Sequence, residues 1–389
     1  NEAFKFAKTS AYPDIKCARE HVYAPCLVSD KRHNDKVSTR SISYSQSLCE
    51  ALDQSMLEDP SVYLMGLGVP DPSGIFGTTK GLIEKHGEKR VFDIPLSENA
   101  ITGVALGSAI TGMRPVMTHQ RVDFSITAME QIVNQVAKWH YMFDGLMKVP
   151  IVIRMIIGRG WGQGPQHSQS LQAIFAHIPG LKVIMPVTAY DAKGMFISAI
   201  KDDSPVIMLE HRWLYGIEDT VPEGIYTLPL NKGRIVKNGH DITVVSISYM
   251  TLEALRAATF LDTLGVSVEV IDVRSVRPLD LPLIFSSVSK TGRLLVADTA
   301  HLEFGVSAEV IASVTETIFD SLIVKPCRLG CPAHPAPTSP SLAKYYYPRA
   351  SEIISAIWVM LDKPKHELPS IPVEHGNFDQ PDPSFTGPF

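Results

Sequence analysis

The sequence predicts an α/β fold of two parallel-sheet units in series, and three observations lead to it. Short runs rich in β-branched and apolar residues, such as SVYLMGLGV, VPIVIRMII and PVIMLE, alternate with stretches of helical period. Strands that alternate with helices form a parallel sheet covered on both faces. The alternation stops over residues 212–238 and then resumes, which divides the chain into two units of ordinary domain size.

Residues 1–40 carry little periodic pattern and are expected to form an arm lying on a neighbour. From Ser43 to Asp59, Leu48, Leu52, Met56 and Leu57 recur at helical spacing. SVYLMGLGV is a buried strand running into a glycine turn, and the loop continues through Pro70 to Gly74. A helix around Thr79–His86 leads to a strand end, VFDIPL. Ser97-Glu98 then opens a stretch dense in small residues, including Gly103, Ala105, Gly107 and Ala109. Each glycine costs a helix roughly 1 kcal/mol against alanine. Gly103 and Gly107 share one face, where another backbone can come close. RPVMTHQ is the next strand, and Phe124–Phe143 reads as a helix with Ile126, Met129, Ile132, Val133 and Val136 on one face. VPIVIRMII ends in a glycine-rich loop, GRGWGQGPQHSQ. LKVIMP, a helix over Tyr190–Lys201 and PVIMLE complete the first unit.

The second unit comprises DITVVSIS, a helix over Thr251–Leu264, SVEVIDV, a helix near Leu281–Ser289, RLLVADT and a helix at Ser307–Thr317, ending near Met360. The expected boundaries are an arm at 1–40, units at 41–215 and 239–361, a linker at 216–238 and a tail at 362–389. The proline-rich tail has no core-forming period and reads as an added arm for a partner.

A hydrophobic content of 45% with 20% charged residues is that of a globular protein with cores to bury. The formal net charge of -5 gives no reason to expect nucleic acid as a partner. No apolar run approaches the ~20 residues of a membrane span. Five scattered cysteines suit reduced thiols, and Cys327, Cys331 and His334 lack a fourth ligand for zinc. A first residue of Asn1 leads us to expect a processed or truncated N-terminus, as in a mature mitochondrial matrix protein, with a bacterial cytoplasm as the alternative.

Glu98 is the one carboxylate at the mouth of the small-residue helix, where a cap would also place one. Followed by Gly103-Val-Ala-Leu-Gly107, it resembles the pyrimidine-binding pattern of thiamine-diphosphate enzymes. SENAITGVALGSAITGMRP, QIVNQVAKW, QHSQS, HIPGLKV and EVIDVRSVRPLD extend the likeness from about Ser41 to Met360. Together they resemble the beta subunit of the 2-oxoacid dehydrogenase decarboxylating component, of the pyruvate and branched-chain type.

The resemblance implies a parallel-sheet pyrimidine-binding domain followed by a transketolase C-terminal-type α/β domain. It implies that Glu98 bonds the pyrimidine ring nitrogen, that Phe124 lies against that ring, and that Gly66 adjoins the cofactor. His167, in the loop after a strand, is implied to act near the substrate, although a lone loop histidine is ordinarily just exposed. Potassium is implied on backbone carbonyls at Ile151, Ala199, Asp202 and Ser204. Magnesium and the diphosphate fall to an alpha subunit, because no Gly-Asp-Gly motif occurs here. An α2β2 tetramer, with an acyltransferase core or larger assembly beyond it, completes the implied partners.

Two departures from the family pattern stand out. Gly66-Leu67-Gly68 replaces an acidic strand end, and Thr118-His119-Gln120-Arg121-Val122-Asp123 replaces a strand with a glutamate. A different acidic or sugar-like substrate would suit them, with Arg121 or Arg159 binding an anion. A catalytically lapsed assembly subunit is the competing expectation.

Overall fold

The computed structural model describes residues 1–25, 38–160 and 162–371. The strands of the first half are β1 (Thr39–Ser43), β2 (Val62–Gly66), β3 (Val91–Phe92), β4 (Arg114–His119), β5 (Val152–Ile157), β6 (Lys182–Ile184), β7 (Val206–His211) and β8 (Glu218–Pro222). Those of the second are β9 (Arg234–Lys237), β10 (Ile242–Ser246), β11 (Val268–Asp272), β12 (Ser275–Arg277), β13 (Leu294–His301) and β14 (Cys327–Cys331).

The first sheet has the order β12-β6-β7-β5-β4-β2-β3 and the second β14-β13-β10-β11-β9. Both are parallel except at one edge, where β12 and β9 run antiparallel to their neighbours. β12 belongs by sequence to the second half and by pairing to the first sheet, opposite Ile184 and Val183. That return strand ties the two units together.

Burial on both faces explains why the strands read as continuous apolar runs. Along β5, Val152 and Ile156 enter a core shared with the helices Tyr44–Glu58 and Ala189–Lys201. Ile153, Met155 and Ile157 face the other way, into a core shared with Val245, Ile271 and Leu294 of the second sheet. The period of two thus packs sheet against sheet through one continuous interior. A third core covers the far face of the second sheet, under the helices Met250–Asp262 and Ala350–Met360. The helix at Tyr44 starts where a capping box fixes it: Ser43 Oγ accepts from Gln46 N, and Gln46 Oε1 accepts from Ser43 N.

Three expectations are corrected, and a fourth, the N-terminal arm, gains detail. Phe124–Phe143 is not one α-helix but a 3-10 segment (Val122–Ala128), a π-helical segment (Gln131–Val136) and a short α-helix (Trp139–Met142). The Ser125 and Thr127 hydroxyls donate to the carbonyls of Val122 and Phe124, competing with α-helical pairing. The stretch 212–238 is not plain connection, since it supplies β8, paired antiparallel with β1, and the edge strand β9. The arm contains a helix, Glu2–Thr9, whose Phe4 and Phe6 are exposed, while Ala24 N donates to Ser204 Oγ at 2.9 Å. The start of the tail packs on the third core: Trp358 Nε1 donates to the Pro364 carbonyl, and Leu368 and Ile371 lie against it. The remaining arm and tail expectations, with Cys26, fall on residues 26–37 and 372–389, outside the described residues.

Candidate active site

β2, β4, β5 and β7 are parallel, and the loops leaving their carboxyl ends carry most of the candidate residues, the usual place for a site in an open α/β sheet. Glu98 begins the helix Glu98–Ile110 just beyond β3. Among the described residues no side chain caps that helix at Ser97, and the Glu98 carboxylate accepts a single long bond, from Thr127 Oγ1 at 3.4 Å. It lines a small recess with Leu67, Ile94, Thr118, His119 and Phe124. The Phe124 ring meets the His167 ring edge-on, with centroids 5.5 Å apart. One aromatic ring therefore links Glu98 to His167.

His119 is buried at the end of β4 beside Glu98. Burial pulls its pKa down to about 4 against the opposing pull of the Glu98 carboxylate, so the imidazole is neutral at pH 7. Its Nε2, like Thr118 Oγ1, is buried without a hydrogen-bond partner among the described residues. Asp123 accepts from Gln169 Nε2 at 2.7 Å, and burial raises its carboxyl pKa although His167 and that bond act to lower it. Reading the sequence noted His119 and Asp123 only as departures, because nothing in a linear pattern shows which polar atoms end up unsatisfied.

The remaining candidates separate. A Cβ on Gly66 would lie 2.5 Å from the Thr118 carbonyl oxygen, so strand packing requires this glycine, and Leu67 is the residue that reaches the recess. Arg159 is buried, with Nε donating to the carbonyls of Gln163 and Pro337 and Nη2 to that of Thr338. It fastens the glycine-rich loop to the second unit. Arg121 instead donates Nη2 to Gln163 Oε1 at 2.6 Å, beside a second buried arginine, Arg212. Arg212 escaped notice in the sequence because it heads the stretch that reads as a connection.

Three of the four carbonyls considered for potassium are engaged. Ile151 O accepts from Val206 N, Ala199 O from Asp202 N, and Asp202 O from the Arg114 guanidinium. Lys182 Nζ pairs with the Asp202 carboxylate, and Ser204 Oγ accepts from Ala24 N. Among the described residues no cluster of three or more His, Cys, Asp or Glu side chains is arranged to hold a metal.

With this geometry in view, residues 40–218 match the transketolase pyrimidine binding domain and residues 231–353 the transketolase C-terminal domain. A solved structure of a split-gene transketolase, an inactive beta4 tetramer, superposes with a TM-score of 0.68 at 22% identity, covering 82% of this chain and 98% of that one. The fold class is therefore transketolase-like. The beta subunit of acetoin:2,6-dichlorophenolindophenol oxidoreductase from Cupriavidus necator is 41% identical over 84% of this chain and 99% of its own length. The mitochondrial pyruvate dehydrogenase E1 component subunit beta-2 of Oryza sativa subsp. japonica is 38% identical over 86% of this chain and 90% of its own. The corresponding acetoin subunit of Bacillus subtilis is 38% identical over 84% of this chain and 98% of its own. Within the transketolase-like class, the chain belongs to the family of E1 beta subunits of the 2-oxoacid dehydrogenases.

Proposed function

We propose that this chain contributes the pyrimidine-binding half of a thiamine-diphosphate-dependent, decarboxylating 2-oxoacid dehydrogenase, an oxidoreductase. The observation that carries the reading is the recess where Glu98, His119 and Phe124 converge. These residues fit an aminopyrimidine: a carboxyl group for a ring nitrogen, an aromatic face, and two buried polar atoms, His119 Nε2 and Thr118 Oγ1, with bonds still to make. Thiamine diphosphate, when bound, supplies the nucleophilic carbon and the electron sink for loss of carbon dioxide. Glu98 would hold the proton at the pyrimidine nitrogen, and Phe124 would orient the ring. His167, exposed above Phe124, would exchange a proton with the substrate. Relatives that match along almost their whole length favour this enzyme over a lapsed assembly subunit.

The diphosphate and magnesium would be held mainly by an alpha subunit, in an α2β2 tetramer. An unpartnered face on and near the Glu98 helix supports such a contact: Leu96, Val104 and Ile126 are exposed, and Gly107 has open space where a Cβ would stand. Potassium fits less well, because Arg114 and Lys182 already bring positive charge to Asp202, and no step is assigned to it. An acyltransferase core is the further partner proposed. We place the chain in the mitochondrial matrix on the plant relatives, with a bacterial cytoplasm as the second reading on the bacterial ones.

The test is Glu98→Gln in the complex reconstituted with its alpha subunit. The variant keeps size and a hydrogen bond but cannot hold the acid proton. Turnover of a panel of 2-oxoacids with an artificial electron acceptor should fall about a hundredfold to ten-thousandfold, with assembly unchanged. Undiminished turnover would remove Glu98 from the mechanism.

A further inference from the structure

His167 is exposed and ends a short 3-10 turn, Pro165–His167, closed by a bond from its backbone N–H to the Gly164 carbonyl at 3.2 Å. Gly160, Gly162 and Gly164 precede it, and glycine gives a loop its widest backbone freedom. A histidine on such a loop acts at one place only if the loop is fastened on both sides of it. Before His167, Arg159 ties the loop to the carbonyls of Pro337 and Thr338, and a Cβ on Gly164 would collide with Thr338 Oγ1. After it, Gln169 Nε2 donates to Asp123 Oδ1 at 2.7 Å. Asp123 directly precedes Phe124, whose ring meets that of His167 edge-on at 5.5 Å. Two neighbouring residues of the Val122–Ala128 segment thus clasp the loop, Phe124 at His167 and Asp123 at Gln169.

Asp123 also brings charge to this clasp. It is half-buried, and burial raises its pKa while the bonds from Gln169 and the charge of His167 lower it. Such a coupling is reciprocal: a charged imidazole that favours the carboxylate is itself favoured by that carboxylate to the same extent. Asp123 acts on Arg121 as well, where burial lowers the pKa and Tyr215 and Asp123 oppose it. Arg121 stays a cation near neutral pH, so the part of this field that varies with pH is the coupling to His167. Of the other titratable groups at this edge, Glu98 lies in the recess that Phe124 also lines, and burial keeps His119 neutral.

We propose that Asp123 is a positioning residue for His167: through Gln169 it holds the loop that presents the imidazole above Phe124, and its negative charge favours the imidazolium form. This inference rests on the reading of His167 as the group that exchanges a proton with the substrate, and it says which form His167 starts from. When the 2-oxo carbon is attacked, its oxygen gains negative charge. An imidazolium N–H bond then breaks, an O–H bond forms on that oxygen, and the imidazole is left neutral. Asp123 keeps its charge throughout, as a carboxylate does when it orients an imidazole and stabilises its protonated form. The sequence departs from the family pattern by losing acidic residues at the ends of β2 and β4, and Asp123 supplies a carboxylate at the same edge.

The experiment has two arms. In the complex reconstituted with its alpha subunit, kcat and KM are measured against pH for the wild type, Asp123→Asn and Gln169→Leu. Asp123→Asn keeps an acceptor for Gln169 and removes the charge. It should lower kcat about tenfold to a hundredfold, with KM changed less than about twofold, and move the alkaline fall of kcat to lower pH. Gln169→Leu breaks the fastening and keeps the charge, and it should lower kcat by a similar factor. The second arm follows the carbon-13 resonance of the Asp123 carboxyl group in the full chain alone, identified by its absence from Asp123→Asn. His167→Gln should move that titration to higher pH, because a neighbouring cation that lowers it is gone. This arm needs neither cofactor, alpha subunit nor turnover, so its failure is distinguishable from failure of the proposed enzyme activity. The proposal is overturned if Asp123→Asn keeps the wild-type pH profile, if Gln169→Leu keeps the wild-type kcat, or if His167→Gln leaves the Asp123 titration in place. Should a variant fail to assemble, the titration in the full chain decides.

Discussion

Asp298, on β13, is a fully buried carboxyl group that accepts from Gln172 Nε2 at 2.7 Å, across the contact between the two units. Burial raises its pKa from 3.8 to about 6, more than the bonds from Gln172, Ala300 and Thr299 lower it. Between those two values the native state keeps a proton that the unfolded chain has released. Stability is therefore lost as the pH rises through this window, and above pH 6 the full penalty applies, roughly 3 kcal/mol. Asp298→Asn keeps an acceptor for Gln172 and cannot ionise. Denaturant unfolding should show the variant more stable than wild type by about 1–3 kcal/mol at pH 7.5, with the gain shrinking toward pH 4. A difference that does not change with pH would mean that ionisation of Asp298 is not its source. His119 obeys the same physics with opposite sign, since burial keeps it neutral beside Glu98 and ready to accept or donate one bond. Neither residue carries a sequence signal for this, because burial and partners come from segments far apart in the chain.

At the scale of elements, the start of the tail belongs to the third core, whereas composition alone made all of 362–389 a peripheral arm. Trp358, on the helix Ala350–Met360, donates to the Pro364 carbonyl, and Lys363 Nζ stands 5.0 Å from its ring centroid. Replacing Leu368 and Ile371 together by alanine should lower stability in urea by roughly 2–3 kcal/mol, the burial energy of about one large apolar side chain. A double variant with the urea midpoint of the full chain would refute the packing role of 362–371. The broken helix after Phe124 teaches a related lesson. Its apolar spacing fits an α-helix, yet hydroxyl side chains at Ser125 and Thr127 turn its first residues into a 3-10 segment that presents Phe124 to Glu98 and His167.

At the scale of the whole molecule, the chain offers a pyrimidine recess but no Gly-Asp-Gly segment for a magnesium-bound diphosphate. Calorimetry should therefore find no stoichiometric micromolar binding of thiamine diphosphate with magnesium to the purified chain, and strong binding once the alpha subunit is added. Micromolar binding to the chain alone would make the alpha subunit dispensable for the site. The two sheets are joined by one interior and by the return strand β12. Salt bridges cross the same boundary, with Asp191 of the Ala189–Lys201 helix paired with Arg274 at 2.8 Å. The recess and the arginine pair thus sit on a rigid edge, while the exposed apolar surface lies on and around the Glu98 helix.

The sequence by itself determined the α/β class, the order of most strands and helices, and the stretches that hold Glu98, Phe124 and His167. Those features rest on local period and on short motifs, which a linear chain displays directly. Tertiary structure decided the rest, namely that β12 crosses back to the first sheet, that Phe124 joins Glu98 to His167, and that Arg159 is spent on carbonyls while Arg121 faces Arg212. The physical reason is common to all three. Strand pairing, burial and charge repulsion are set by residues dozens of positions apart, and only folding brings Arg121 and Arg212 to the same oxygen of Gln163.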